Sequence, residues 1–100
     1  MDYILFLMSS QNISICIPRI SSDVTKWEIS DVFNKLNIGK ILKIVTVINT
    51  NNKTQKVFVH FKYWNNNVKS NKIKNILNSG DNIKLVYDFP NYWKCYKSKY

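Results

Sequence analysis

Ile13, Ile15 and Ile17 alternate with Ser14 and Cys16, a period of two that sends the isoleucines to the core and the small side chains to the other face of a short strand. Pro18 is expected to end it. Thr25-Lys26-Trp27-Glu28 then fits a capping box, in which the Thr hydroxyl takes an orphan helix N–H and the Glu reaches back to the cap. The helix it opens runs to about Asn37, with Ile29, Val32, Phe33 and Leu36 three and four apart on one stripe and Gly39 placed to terminate it. Ile41 to Ile48 is a β-branched run, and the polar stretch Asn49 to Gln55 is long enough to join it to an antiparallel neighbour. In that neighbour Val57, Val59 and Phe61 alternate with Lys56, Phe58, His60 and Lys62, which separates a buried face from an exposed one. Asn65 to Asn67 offer a cap for a second helix, whose inward stripe is Val68, Ile73, Ile76 and Leu77 and whose end is Ser79-Gly80. Ile83, Leu85 and Tyr87 read as the last strand, broken by Pro90.

The predicted order is strand, helix, strand, strand, helix, strand: an α+β fold of βαββαβ type. Right-handed crossovers then put both helices on one side of a four-stranded antiparallel sheet and leave the other side to solvent. Phe58 falls on that open side, beside Lys56, Lys62 and His60. The domain is expected over residues 13 to 90, with 1 to 12 a tail or extra strand and 91 to 100 an aromatic, Lys-rich tail containing Tyr92, Trp93 and Tyr96.

The chain has 100 residues, 45% of them hydrophobic, which suits one core and leaves no room for a second. Its net charge of +9 points to a polyanionic partner, because Lys-rich surfaces gain affinity for phosphate backbones by releasing counterions. The accompanying excess of Asn and Ile is also what adenine- and thymine-rich codons produce, so charge alone does not decide the partner. Of the 15 basic residues only Arg19 is an arginine, so bidentate recognition of guanine or phosphate is almost absent and backbone contacts are favoured over base reading. Cys16 and Cys95 have no metal-ligand spacing, and a chain with this core needs no disulfide, so a reducing intracellular compartment is expected. The apolar run Tyr3-Ile4-Leu5-Phe6-Leu7-Met8 is too short for a membrane span.

Phe58-Val59-His60-Phe61 is similar to the second half of the third-strand signature of the RNA-recognition-motif family, an aromatic, Val, any residue, then Phe or Tyr. Val32-Phe33 with Gly39-Lys40-Ile41 resembles that family's first helix and the Gly turn into its second strand, and the likeness covers about residues 13 to 88. Cys16-Ile17-Pro18-Arg19, Val57-Phe58-Val59-His60-Phe61 and Lys84-Leu85-Val86-Tyr87-Asp88 also resemble short proteins of this type encoded by large DNA viruses. The resemblance implies binding of RNA, or single-stranded nucleic acid, on the open sheet face. Phe58, Lys56, His60, Lys62, Cys16, Arg19, Lys84, Trp93 and Tyr92 are the candidate contacts. The chain departs from the family's three stacking aromatics, since Cys16 stands at the first-strand position and Lys56 at one of the two third-strand positions. Each stacked base contributes roughly 1–3 kcal/mol, so binding with low sequence specificity is expected, unless Tyr92 or Trp93 folds over the face and restores stacking or closes it.

The same topology and length occur in acylphosphatase-like hydrolases, which use an arginine after the first strand, where Arg19 lies. The glycines that let backbone amides cradle a phosphate are missing there, with Pro18 and Ile20 beside Arg19 instead. No nucleophile and base are paired by spacing, and no catalytic residue, cofactor or metal is expected. The rival to nucleic-acid binding is a protein-interaction or self-association module, monomeric or weakly dimeric, that uses the sheet face and aromatic tail.

Overall fold

The computed structural model of this chain describes residues 12–99. The apolar run from Tyr3 to Met8 lies outside the described residues. Among the described residues the elements follow as β1 (Ile15–Ser21), α1 (Lys26–Leu36), β2 (Gly39–Asn49), β3 (Thr54–Trp64), α2 (Val68–Asn78), β4 (Ile83–Asp88) and β5 (Asn91–Lys97). The strands lie in the order β2-β3-β1-β5-β4, every neighbouring pair antiparallel.

The isoleucine alternation does in β1 what its period requires. Ile15 and Ile17 are fully buried, and Cys16 between them is only partly covered. Pro18 does not stop the strand. It sits with Arg19 in an irregularity between Ile17 and Ile20, after which pairing with β3 resumes at Gln55 and Thr54; a bulge tolerates a residue without an N–H where a regular central ladder does not.

Thr25 caps α1, its hydroxyl accepting from the Glu28 N–H at 3.1 Å. Asn37 ends the helix in the left-handed conformation, with φ of 56°. Gly39 is therefore not the terminator. It begins β2, where a Cβ would drive into the Tyr63 backbone carbonyl, so close strand packing is what demands glycine there. Asn67 caps α2 through the Ser70 N–H at 2.9 Å, and Ser79 closes it just before Gly80 at φ of 88°.

Both helices pack on the same face. Ile29 and Phe33 of α1 and Leu77 of α2 share one core with Ile15, Ile17, Val57 and Val59, and Phe33 meets Phe61 edge-on at 6.2 Å. The inward stripe of α2 differs from expectation: Val68 is 87% exposed and Ser70 is fully buried. Trp64 closes one end of the core and donates its indole N–H to the Ile13 carbonyl at 2.8 Å, whereas Trp27, in the first turn of α1, is 85% exposed.

The expectation of a four-stranded sheet is corrected to five strands. Ile83–Asp88 forms an edge strand and turns back at Phe89-Pro90, and Asn91–Lys97 lies between it and β1, pairing Ile83 with Cys95, Leu85 with Trp93 and Cys16 with Tyr96. Residues 91 to 97 thus neither cross the open face nor leave it; they extend the sheet. Trp93 and Cys95 point into the core while Tyr92, Lys94 and Tyr96 alternate with them. A buried cysteine and outward tyrosines blur the polar–apolar contrast on which period-two recognition depends.

Neighbouring residues of this strand should therefore respond oppositely to truncation. Trp93→Ala is expected to lower unfolding free energy by about 3–5 kcal/mol, and Tyr92→Ala by less than about 1 kcal/mol. Urea denaturation of the two variants checks this, and comparable small effects would mean that residues 91–97 are not an integral strand.

Candidate nucleic-acid interface

Among the described residues, the sheet face opposite α1 and α2 carries no helix and is built from the outward residues of the five strands. Register places Val45, Phe58, Cys16 and Tyr96 in one row across β2, β3, β1 and β5. Two inter-strand spacings separate Phe58 from Tyr96, or about 10 Å between backbones, with the small Cys16 side chain between them. Both rings are partly exposed.

Positive charge surrounds this row. Lys56 precedes Phe58 by one outward position on β3 and Lys62 follows beyond His60, while Lys43 of β2 stands opposite His60. On β5 the outward residue next to Tyr96 is Lys94, paired with Lys84 of β4. The Lys84 ammonium lies over the Tyr92 ring, 5.1 Å from its centroid, a cation–π geometry that leaves the charge exposed. Arg19, on the β1 irregularity, lines a groove of about 270 Å³ with Lys56, Val47 and Asn52. Among the described residues, Asp23, Glu28 and Asp31 belong to α1 or its approach, and Asp31 is paired with Lys35 at 3.1 Å. Asp81 and Asp88 flank or end β4.

His60 is held by its neighbour, its Nδ1 lying 2.7 Å from the Ser14 hydroxyl. Cys16 is shielded enough that burial raises its thiol pKa, with nearby Lys56 pulling the other way. Burial pushes the Cys95 thiol up to about 12, and Cys16 adds to the rise. Both cysteines are free, and at neutral pH both are thiols, so neither is an activated nucleophile. Cys16 serves the row as a small, uncharged floor.

A scan of family models, a search of curated proteins and a search of solved structures each return no match. Among the described residues no group of three or more His, Cys, Asp or Glu could hold a metal ion, and no helix is long and apolar enough to cross a membrane.

Of the sequence candidates, Phe58, Lys56, His60, Lys62, Cys16, Lys84 and Tyr92 share the helix-free face, and Arg19 borders it. Trp93 does not. It is 6% exposed on the core side, stacked on Tyr87 with centroids 4.7 Å apart, because the strand alternation that turns Tyr92 outward turns its neighbour in. Tyr96 and Lys94 were missed as site residues. The signal was present in the spacing Tyr92, Lys94, Tyr96 opposite Trp93 and Cys95, once 91–97 is read as a strand.

The two cysteines should differ in reactivity. In native protein at pH 8 a disulfide reagent such as DTNB is expected to modify Cys16 slowly and Cys95 only after unfolding, because the thiolate is the reacting species. Rapid native modification of both would contradict the burial of Cys95.

Proposed function

We propose that this chain binds single-stranded nucleic acid, RNA foremost, across the helix-free sheet face, by stacking bases on Phe58 and Tyr96 and holding phosphates with the surrounding lysines. The carrying observation is the cross-sheet row Phe58–Cys16–Tyr96 bordered by Lys56 and Lys94, with the carboxylates of α1 behind the sheet. Aromatic faces accept any base, and ammonium groups answer the phosphate charge without reading sequence.

The helix–strand order supports a fold of ferredoxin-like, RNA-recognition-motif type. In that reading β5, not β4, fills the slot beside β1, and β4 is an added edge formed by the hairpin. The family's stacking residue on its first strand is replaced by Cys16, and Tyr96 on the adjacent strand supplies a second ring. A domain lacking this ring would keep only Phe58; with it, two bases can stack at roughly 1–3 kcal/mol each. Arg19 and Lys56, sharing one groove, provide a phosphate site at one end of the row, and the pair Lys84 and Lys94 provides another. No part of this reading requires a catalytic group.

Fluorescence anisotropy with a labelled single-stranded oligonucleotide tests it. Phe58→Ala and Tyr96→Ala are each expected to weaken binding roughly 5- to 150-fold, and Lys56→Ala to reduce the logarithmic salt slope by about 0.7. Bound oligonucleotide should also protect Cys16 from the thiol reagent. Absence of binding at low salt, or affinity indifferent to both aromatic substitutions, would defeat the proposal.

A further inference from the structure

β2 ends the sheet on the side away from β4, and among the described residues β3 is its one strand partner. Its outer edge is 11 residues long, or about 36 Å. Edge strands of soluble proteins are ordinarily shortened, interrupted by proline or armed with inward charge, since unpaired N–H and C=O groups template the addition of another strand. β2 has little of this protection. Its pairing irregularities lie between Lys40 and Lys43. From Ile44 to Ile48 the strand is uncharged, β-branched and regularly paired, with Val47 56% and Ile48 60% exposed.

Beside the first half of this edge stands α1. Lys26, Trp27 and Ser30 of the helix and Ile41, Leu42, Lys43 and Ile44 of the strand enclose a groove of about 470 Å³. Trp27 is 85% and Leu42 61% exposed, so neither contributes its apolar surface to the core. A groove walled by a helix on one side and an open strand edge on the other suits an added strand, whose backbone continues the ladder while alternate side chains enter the groove.

We propose that the β2 edge and the Trp27 groove bind an extended acidic peptide by strand addition, at a site that borders the nucleic-acid face at Lys43. The charges lining the groove are Lys26 and Lys43, with Lys40 exposed nearby on the same strand. They select carboxylates at one end of the ligand and apolar side chains facing Trp27 and Leu42. A second copy is the poorer occupant: β2 carries no carboxylate, so a partner β2 offers nothing to Lys40 and Lys43 and brings another +9 of charge with it.

A fluorescein-labelled peptide alternating Asp or Glu with Val and Ile, titrated into the full chain, tests this against a Lys-for-acid version of the same peptide. The acidic peptide should bind, its Lys counterpart should not, and hydrogen exchange should slow at β2 amides. Trp27→Ala and Lys26→Glu should each weaken the peptide about tenfold while leaving oligonucleotide affinity unchanged, since both residues lie on α1. Equal binding of the two peptides, no binding at low salt, binding indifferent to both substitutions, or no slowing of exchange along β2 would overturn the proposal. So would a concentration-dependent dimer abolished by Leu42→Lys, which would assign the edge to a second copy.

Discussion

The alternation Ile15-Cys16-Ile17 governs both sides of this molecule. The two isoleucines are fully buried against α1 and α2, each contributing about 1.5–3 kcal/mol through removal from water. Their burial leaves Cys16 no orientation other than outward, because a strand cannot turn neighbouring side chains the same way. Flanking bonds reinforce the register. Before β1 the Ile13 carbonyl accepts from Trp64, and beyond the irregularity the Gln55 amide donates to the carbonyls of Ser21 and Val24 at 2.9 and 2.7 Å. A one-residue slip would expose the isoleucines and break these bonds, so β1 sets the alignment of β3 on one side and β5 on the other. The position of Phe58 relative to Tyr96 is thus a consequence of core packing.

Charge is distributed by the same division. α1 carries Glu28 and Asp31, with Lys35 spent on Asp31, while the outward positions of β3, β4 and β5 carry lysines. An exposed pair such as Lys35–Asp31 adds little stability, and with Lys26 balancing Glu28 it leaves α1 without net charge behind the sheet. α2 is basic, with Lys69, Lys72 and Lys74; Lys74 lies 5.7 Å from the centroid of Trp64, covering the edge of the core with its aliphatic stem. The net charge is therefore not concentrated on one surface, and what distinguishes the sheet face is aromatic rings among the lysines.

Most of the element order was legible because its signals are local. Thr25 and Asn67 cap where a short side-chain acceptor precedes a helical stripe, and Val57-Val59-Phe61 shows an unmistakable period of two. Misreadings arose where meaning depends on a distant neighbour. Gly39 looks like a helix stop until Tyr63 is brought against it from β3. Trp27 and Val68 look like core residues by type, yet their helices turn them to solvent while small Ser70 occupies the interior. Residues 91–97 escaped because their buried members are a tryptophan and a cysteine and two of the three residues that alternate with them, Tyr92 and Tyr96, are aromatic, so polarity does not mark the faces. Phe58 could be assigned to its face from its own strand, whereas Tyr96 could be joined to it only through the register of two strands with β1.

The arrangement also limits what the sheet face can distinguish in a ligand. Base identity is read through donors and acceptors aimed at base edges, and the polar groups flanking the aromatic row, Ser14 just before β1 and His60 on β3, are bonded to each other. That bond fixes the imidazole through Nδ1 and leaves Nε2 as the ring nitrogen that could meet a base edge. The thiol of Cys16 is a weak donor, and the lysines bring point charge without a fork. On the proposed reading, affinity then comes from ring faces and phosphate, both common to every nucleotide. On the same reading, Cys16 stands where the proposed fold type would carry a first-strand aromatic, and Tyr96 on the adjacent strand would keep the stacking area. A face that works in this way would discriminate strandedness, because only unpaired bases could lie flat on Phe58 and Tyr96, and it would discriminate sequence poorly.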